Sequence, residues 1–145
     1  MPNSFCKIWI HAVWSTKLRQ PLINPQIEAL VYEYMAHEFI QLGCSVRIIN
    51  GMPDHIHCLF KLNPQKSITD VIKQIKGSSS HFINRNDLIS EKFAWQSGFS
   101  SFSVSDSVVE KVNRYIQLQK KHHCKIDFEE EHRQFLKISG LLENG

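Results

Sequence analysis

Two histidines in the stretch Asp54-His55-Ile56-His57-Cys58-Leu59-Phe60 are the first residues along the chain able to do chemistry together. Successive side chains of a strand point to opposite faces, so His55 and His57 share one face while Ile56 and Cys58 share the other. Neutral imidazole is a common ligand of divalent metals, and a rigid strand holds two such nitrogens at a separation that one ion can bridge. On spacing alone, two partly exposed imidazoles making ordinary hydrogen bonds are the better reading. The case for more comes from a second stretch.

In Tyr115-Ile116-Gln117-Leu118-Gln119-Lys120-Lys121-His122-His123, Tyr115 and Gln119 are four apart and share a helix face, with His122 a further turn along. The apolar stripe Val109, Val112 and Ile116 lies about a quarter turn away at ~100° per residue, so Tyr115 falls at the margin of the buried face. A tyrosine there ordinarily packs its ring on the core edge and keeps its hydroxyl in water, with Gln119 solvated beside it. The chemical alternative is a nucleophile. A phenol of ordinary pKa, ~10, needs an activated electrophile, and a cation held by His55, His57 and a third ligand would polarise a phosphate oxygen. Gln119 offers an amide oxygen one turn from the phenol, and His122 is the other candidate for that third position. Two imidazoles and an amide suit Mg²⁺ or Mn²⁺ acting as a Lewis acid.

These side chains need a scaffold, and the rest of the 145 residues predicts one. Phe5 to Ser15 is rich in β-branched and aromatic residues and reads as a first strand. Asn24-Pro25 starts a helix, Asn as cap and Pro at the first helical position, with Ile27, Leu30, Val31, Tyr34, Met35, Glu38, Phe39 and Leu42 as its mostly apolar stripe and Gly43 as its stop. Ser45 to Asn50 is a second strand, joined through the turn Gly51-Met52-Pro53 to the histidine strand as an antiparallel hairpin. Ser67 caps a helix to about Asn84, interrupted at Gly77-Ser78-Ser79-Ser80, where small residues would allow close backbone approach. Glu91 to Val104 reads as an irregular strand, whose Trp95, Phe99 and Phe102 would either stack on bases or join the core. Ser105-Asp106-Ser107 caps a helix running to about His123, and a last helix spans about Asp127 to Ile138. The order strand-helix-strand-strand-helix-strand is that of a ferredoxin-like or RRM-like α+β sandwich, a central antiparallel sheet with helices on one side plus C-terminal helices. No repeat or linker interrupts it, so 1–145 reads as a single domain.

Composition narrows the class further. Hydrophobic residues at 42% and charged residues at 21% describe an ordinary globular protein. No apolar run approaches the ~18–20 residues of a membrane helix, and Met1-Pro2-Asn3-Ser4 has no signal-peptide pattern, so a cytoplasmic location is expected. Cys6, Cys44, Cys58 and Cys124 form no CxxC pair and read as small, buried or half-buried apolar residues. A net charge of +3 and a pI near 8.7 are compatible with a polyanion partner without requiring one. Lys17, Arg19, Lys73, Lys76, Arg85, Lys120 and Lys121 are the candidate phosphate-backbone contacts, against a default of solvated surface charge.

Met52-Pro53-Asp54-His55-Ile56-His57, then Trp95 to Val104, then Tyr115 to Gln119 with His122-His123, resemble the single-tyrosine HUH transposases of small bacterial insertion sequences, as does Val13-Trp14-Ser15-Thr16-Lys17. The motifs come in the family's order over nearly the whole chain. The resemblance implies an enzyme that cuts and rejoins single-stranded DNA at the ends of a mobile element. Carried over by position, His55 and His57 are the HUH metal ligands, Gln119 the third ligand and Tyr115 the nucleophile that forms a 5′-phosphotyrosine link. It also implies a homodimer and subterminal DNA hairpins as the recognised partner; Lys17, Arg19, Lys73, Lys76 and Arg85 are the cations expected along that DNA from their charge and place in the chain. Two other classes stay open: a domesticated, inactive hairpin-binding protein of the same fold, and a zinc hydrolase using His55, His57, His122 and Cys124. The hydrolase ranks lower because no carboxylate base stands beside the histidines at a motif spacing.

Overall fold

A computed structural model describes residues 5–122 and 128–138. Strands β1 (Trp9–Ser15), β2 (Ser45–Met52), β3 (His55–Lys61) and β4 (Ser100–Val104) form one sheet in the order β2-β3-β1-β4. Every neighbouring pair is antiparallel. Helices α1 (Glu28–Gln41) and α2 (Ile68–Arg85) cross between strands, which makes this the expected ferredoxin-like α+β sandwich. The C-terminal helices are α3 (Val109–Gln117), α4 (Gln119–His122) and α5 (Phe128–Ile138).

Strand alternation decides what each face does. Ile10, Ala12 and Trp14 of β1 and Ile56, Cys58 and Phe60 of β3 join Val31, Met35 and Phe39 of α1 and Val71, Ile72 and Ile75 of α2 in the main core. Each fully buried large apolar side chain there contributes ~1.5–3 kcal/mol. On the opposite face Leu59 packs with Val109 and Ile116 of α3, edged by Val112 and Tyr115. Because side chains alternate, His55 and His57 share that second face with Leu59, under the C-terminal helices.

Several local expectations shift. The strand at the N-terminus begins at Trp9, and α1 begins at Glu28 rather than at Pro25, because the Asn24 side chain accepts the backbone N–H groups of Gln26 and Ile27 in a preceding turn. Leu30 is exposed, so the α1 stripe is Ile27, Val31, Met35 and Phe39, four apart each time. The β2–β3 connection is Pro53-Asp54, and β2 runs two residues further than predicted, since Gly51 and Met52 pair with Ile56 and His55. Gly51 is required there: a Cβ at that position would fall 2.8 Å from the Cα of Ile56 and closer still to the carbonyl oxygen of His55. Ser67 caps α2 as expected, accepting from the N–H of Asp70. Gly77, in contrast, has open space where a Cβ would sit, so no backbone approaches it.

The stretch before β4 is an extended segment with one bridge, Thr16 to Trp95. Trp95 meets Trp14 and Phe93 edge to face and donates its indole N–H to Ser79 at 2.9 Å, and Phe99 packs on the core, so both are committed to packing. Ser105 makes no side-chain cap; a 3-10 turn, Asp106–Val108, precedes α3 instead. Cys44 and Cys58 are buried, whereas Cys6 is exposed, contrary to expectation. Cys124, His123, residues 1–4 and the predicted ends at Asp127 and Ser139-Gly140 lie outside the described residues.

Candidate active site

The two histidines are placed by β3, which lies between β2 and β1. His55 pairs across from Ser15 and Met52, and His57 from Val13 and Asn50. Both are fully buried. The turn that leads into them is clamped from the β1 end, where Thr16 donates its backbone N–H to the Asp54 carbonyl at 2.9 Å and Ile23 donates to the Pro53 carbonyl at 3.0 Å. Asp54 itself reaches forward, its Oδ1 lying 2.8 Å from Nδ1 of His55. A ring whose Nδ1–H is held by a carboxylate turns Nε2 toward the site, the usual support of a metal-binding imidazole.

Tyr115 and Gln119 come to the same place from α3 and α4. The predicted single helix breaks at exposed Leu118, and the break is held by β2: Nδ2 of Asn50 donates to the Ile116 carbonyl at 2.9 Å, and Lys120 donates to the Asn50 amide oxygen at 3.2 Å. The turn sends Gln119 inward. Its side chain is buried rather than solvated, with Oε1 at 3.3 Å from Nε2 of His55. The Tyr115 ring lies edge-on to His57, centroids 5.9 Å apart, half-buried at the margin predicted for it. The His122 side chain, the alternative ligand, lies outside the described residues.

The group missed by the sequence reading is Glu131 of α5. It is 1% exposed, although its neighbours Glu129 and Glu130 are both exposed. Its Oε1 lies 2.9 Å from Nε2 of His57 and 3.4 Å from Nε2 of His55; its Oε2 accepts from the Tyr115 hydroxyl and from Nε2 of Gln119 at 3.0 Å. One carboxylate thus touches all four predicted site residues. Among the described residues, His55, His57 and Glu131 form a group able to hold a metal ion, their ligand atoms all within 4.8 Å of one another. Two imidazole nitrogens, a carboxylate and an adjacent amide oxygen fit a divalent cation of the Mg²⁺ or Mn²⁺ kind, with imidazole favouring the latter. No carboxylate base stands beside the histidines at a motif spacing, yet one reaches them in space, because Glu131 arrives from a separate helix.

Electrostatics follow from this packing. Burial disfavours the charged form of His55, but hydrogen bonds to Asp54 and Glu131 and their negative charges outweigh it and raise its pKa above 6.5. Burial, and then the hydrogen bond and charge of Glu131, push the Tyr115 phenol well above its usual range, against a smaller opposing contribution from Gln119. In this arrangement the phenol is held as a hydrogen-bond donor to Glu131.

The cations predicted for a DNA track do not form one patch. Lys17 and Arg19 flank a turn in which Leu18 and Arg19 take left-handed conformations, φ 56° and 52°. Arg19 pairs with Glu129 at 2.6 Å. That turn and α5 bound an open cleft of about 690 Å³ that includes Ser15, Gln96, Phe128 and His132. Phe128 also covers His55, ring centroids 4.4 Å apart, so this one ring stands between the cleft and His55. Lys76 instead holds the segment before β4, donating to the carbonyls of Gln96 at 2.7 Å and Gly98 at 2.8 Å. Lys73 lines a separate recess between α1 and α2, and Arg85 ends α2. Lys120 pairs with Glu28 at 3.1 Å.

Comparison with known proteins bears on all of this. Residues 4–119 match the family model of IS200-like transposases. The ISDra2 transposase TnpA of Deinococcus radiodurans is 25% identical over 114 residues, 75% of this chain and 81% of that protein. A crystal structure of a Deinococcus radiodurans protein assigned as a transposase superposes with a TM-score of 0.66 at 22% identity, over 82% of this chain and 95% of that one. A REP-associated tyrosine transposase bound to a REP hairpin superposes with a TM-score of 0.61 at 14% identity, over 85% of this chain and 73% of that one. These two likenesses speak to the fold. Among the described residues, no helix is long and apolar enough to cross a membrane.

Proposed function

Since the chain belongs to the IS200-like transposase family, we propose that it cleaves and rejoins single-stranded DNA at insertion-sequence ends through a 5′-phosphotyrosine intermediate on Tyr115. The observation that carries this reading is the convergence of Tyr115, Gln119, His55 and His57 on one buried carboxylate within a single chain. Residues 1–145 would act as one transposase domain. A homodimer as the active assembly and hairpin-bearing DNA as its substrate belong to the same proposal, the latter supported by the hairpin bound to the REP-associated relative.

In this mechanism the strand enters by the open cleft beside Phe128, with Lys17 and Arg19 at its mouth; Lys73, Lys76 and Arg85, which lie apart from that cleft, would meet DNA outside the site. The Tyr115 oxygen attacks the scissile phosphorus; the new O–P bond forms as the bond to the 3′ oxygen breaks. The phenol proton passes to Oε2 of Glu131, the atom it already bonds, and the leaving oxygen takes up a proton from water to become a free 3′-hydroxyl. His55, His57 and Glu131 would hold the divalent cation, with Gln119 as the further donor the family pattern assigns. When bound, such a cation polarises the phosphate and stabilises the charge that develops there. Rejoining reverses the sequence, the 3′-hydroxyl attacking the phosphotyrosine and Glu131 returning the proton to the phenol.

The deciding experiment mixes the protein with labelled, hairpin-bearing single-stranded DNA and Mn²⁺ and resolves the products on a denaturing gel. The parent yields a protein–DNA adduct and Tyr115→Phe yields none, while still binding the DNA. Adduct formation by the phenylalanine variant at the parent rate excludes Tyr115 as nucleophile. DNA binding without adduct from the parent favours a hairpin-binding protein that has lost the chemistry.

A further inference from the structure

His11 has no part in the reading so far, yet it is a buried polar side chain, 2% exposed, at the centre of β1. Alternation sends Ile10, Ala12 and Trp14 into the main core and turns His11 to the opposite face, the one that carries the candidate site. In register His11 pairs with Leu59, which makes His57 its diagonal neighbour. Its Nε2 lies 2.8 Å from Nδ1 of His57, and the two rings stack at 26° with centroids 5.1 Å apart. Phe102 lies on its other side, centroids 6.0 Å away.

A bond between two ring nitrogens requires one to carry a hydrogen and the other a lone pair. The far nitrogen of His57, Nε2, faces Glu131 at 2.9 Å and is the one positioned to ligate. A ligating nitrogen must be unprotonated, so the His57 proton then resides on Nδ1 and needs an acceptor. Nε2 of His11 is at hydrogen-bond distance. His11 is buried between β3 and Phe102, its ring stacked on that of His57, so this nitrogen is held in place to accept. His55 is supported differently, by the Asp54 carboxylate on its own Nδ1. The two ligands therefore have separate partners from separate elements: a carboxylate in the turn and an imidazole on the neighbouring strand.

We propose that His11 is the positioning residue of the cation site, accepting the Nδ1 proton of His57 so that His57 presents Nε2 to the metal. The inference rests on the metal site proposed above and concerns binding, with no step of DNA cleavage in it. Titrating Mn²⁺ into the full-length protein by calorimetry tests it, with melting temperatures recorded alongside. The parent binds Mn²⁺; His11→Phe, of similar size but unable to accept, binds about 10–100-fold more weakly. His11→Gln, which restores an acceptor oxygen, recovers at least part of that loss. A folded phenylalanine variant with the parent affinity, or a glutamine variant no better than it, overturns the inference and leaves the metal site standing. A parent that binds no Mn²⁺ refutes the metal site and this inference with it. If His11→Phe does not fold, nitrogen-15 NMR of the parent saturated with diamagnetic Mg²⁺ decides: His57 carries its proton on Nδ1, and a proton on Nε2 overturns the assignment.

Discussion

Glu131→Gln removes one charge and one proton acceptor while keeping the shape of the side chain, so its consequences can be worked out from the contacts. Oε1 lies 2.9 Å from His57 and 3.4 Å from His55, and Oε2 accepts from Tyr115 and Gln119. If Oε2 takes the phenol proton as the O–P bond forms, its loss costs the ~10²–10⁴-fold typical of positioned proton transfer. Loss of the anion also weakens the hold on a divalent cation, so Mn²⁺ affinity falls together with the rate. The Tyr115 phenol moves in the opposite sense: the hydrogen bond and charge that help hold its pKa up are gone, leaving burial to hold it there. In the folded metal-free protein the buried charged contacts forfeited are worth ~1.5–3 kcal/mol, a melting-temperature loss of several degrees. Three assays read these consequences: single-turnover adduct formation at saturating Mn²⁺, Mn²⁺ calorimetry, and NMR titration of labelled tyrosine rings. The variant's adduct rate should climb with pH more steeply than the parent's, because the phenolate must now come from solution equilibrium. A glutamine variant that forms adduct faster than the parent would identify the carboxylate as a plug over Tyr115, and the assignment of Glu131 as base would be abandoned.

Metal-free stability should peak near pH 6.5, because two buried histidines pull in opposite directions. The depressed pKa of His11, about 3 against 6.5 unfolded, contributes stability that is lost as pH falls below ~6.5; the raised pKa of His55 contributes stability that is full below ~6.5 and lost as pH rises through its folded value. Thermal melts in chelator should show both limbs, the acid one vanishing in His11→Phe and the alkaline one shrinking in Asp54→Asn; flat curves in the parent would contradict both shifts. Gly51→Ala forces a Cβ against the backbone of His55 and Ile56, so strand β3 must move: we expect a loss of ~1–3 kcal/mol in chemical denaturation and weakened Mn²⁺ binding, and an alanine variant of parent stability would disprove the close approach. Lys17→Ala should reduce the slope of log affinity for single-stranded DNA against log salt by ~0.7, an unchanged slope removing Lys17 from the DNA path. Lys76→Ala should in addition lower the melting temperature by a few degrees, because its ammonium ties down the Gln96 and Gly98 carbonyls.

Much of this protein was legible in one dimension because the deciding interactions are local. The alternation that puts His55 and His57 on one face, the cap at Ser67 and the four-residue spacing of Tyr115 and Gln119 all follow from chain geometry a few residues long. The order of elements, with its short β2–β3 hairpin, was then enough to point to the sandwich. Motif order over the chain carried the family.

What the sequence alone did not decide is which polar groups lose their water. Glu129, Glu130 and Glu131 stand side by side in an acidic first turn; helical spacing sets Glu131 on the face of Phe128, but only the docking of α5 brings that face, and the carboxylate on it, against the histidines and leaves the other two in solvent. Gln119 likewise reads as a solvated neighbour of Tyr115 until the break at Leu118, held by Asn50 of β2, turns it inward. His11 reads as one polar residue in an aromatic strand until the β1–β3 register sets it diagonally across from His57. Desolvation and proton sharing depend on partners many positions away in the chain, so the charge and tautomer of this site are properties of the assembled tertiary structure.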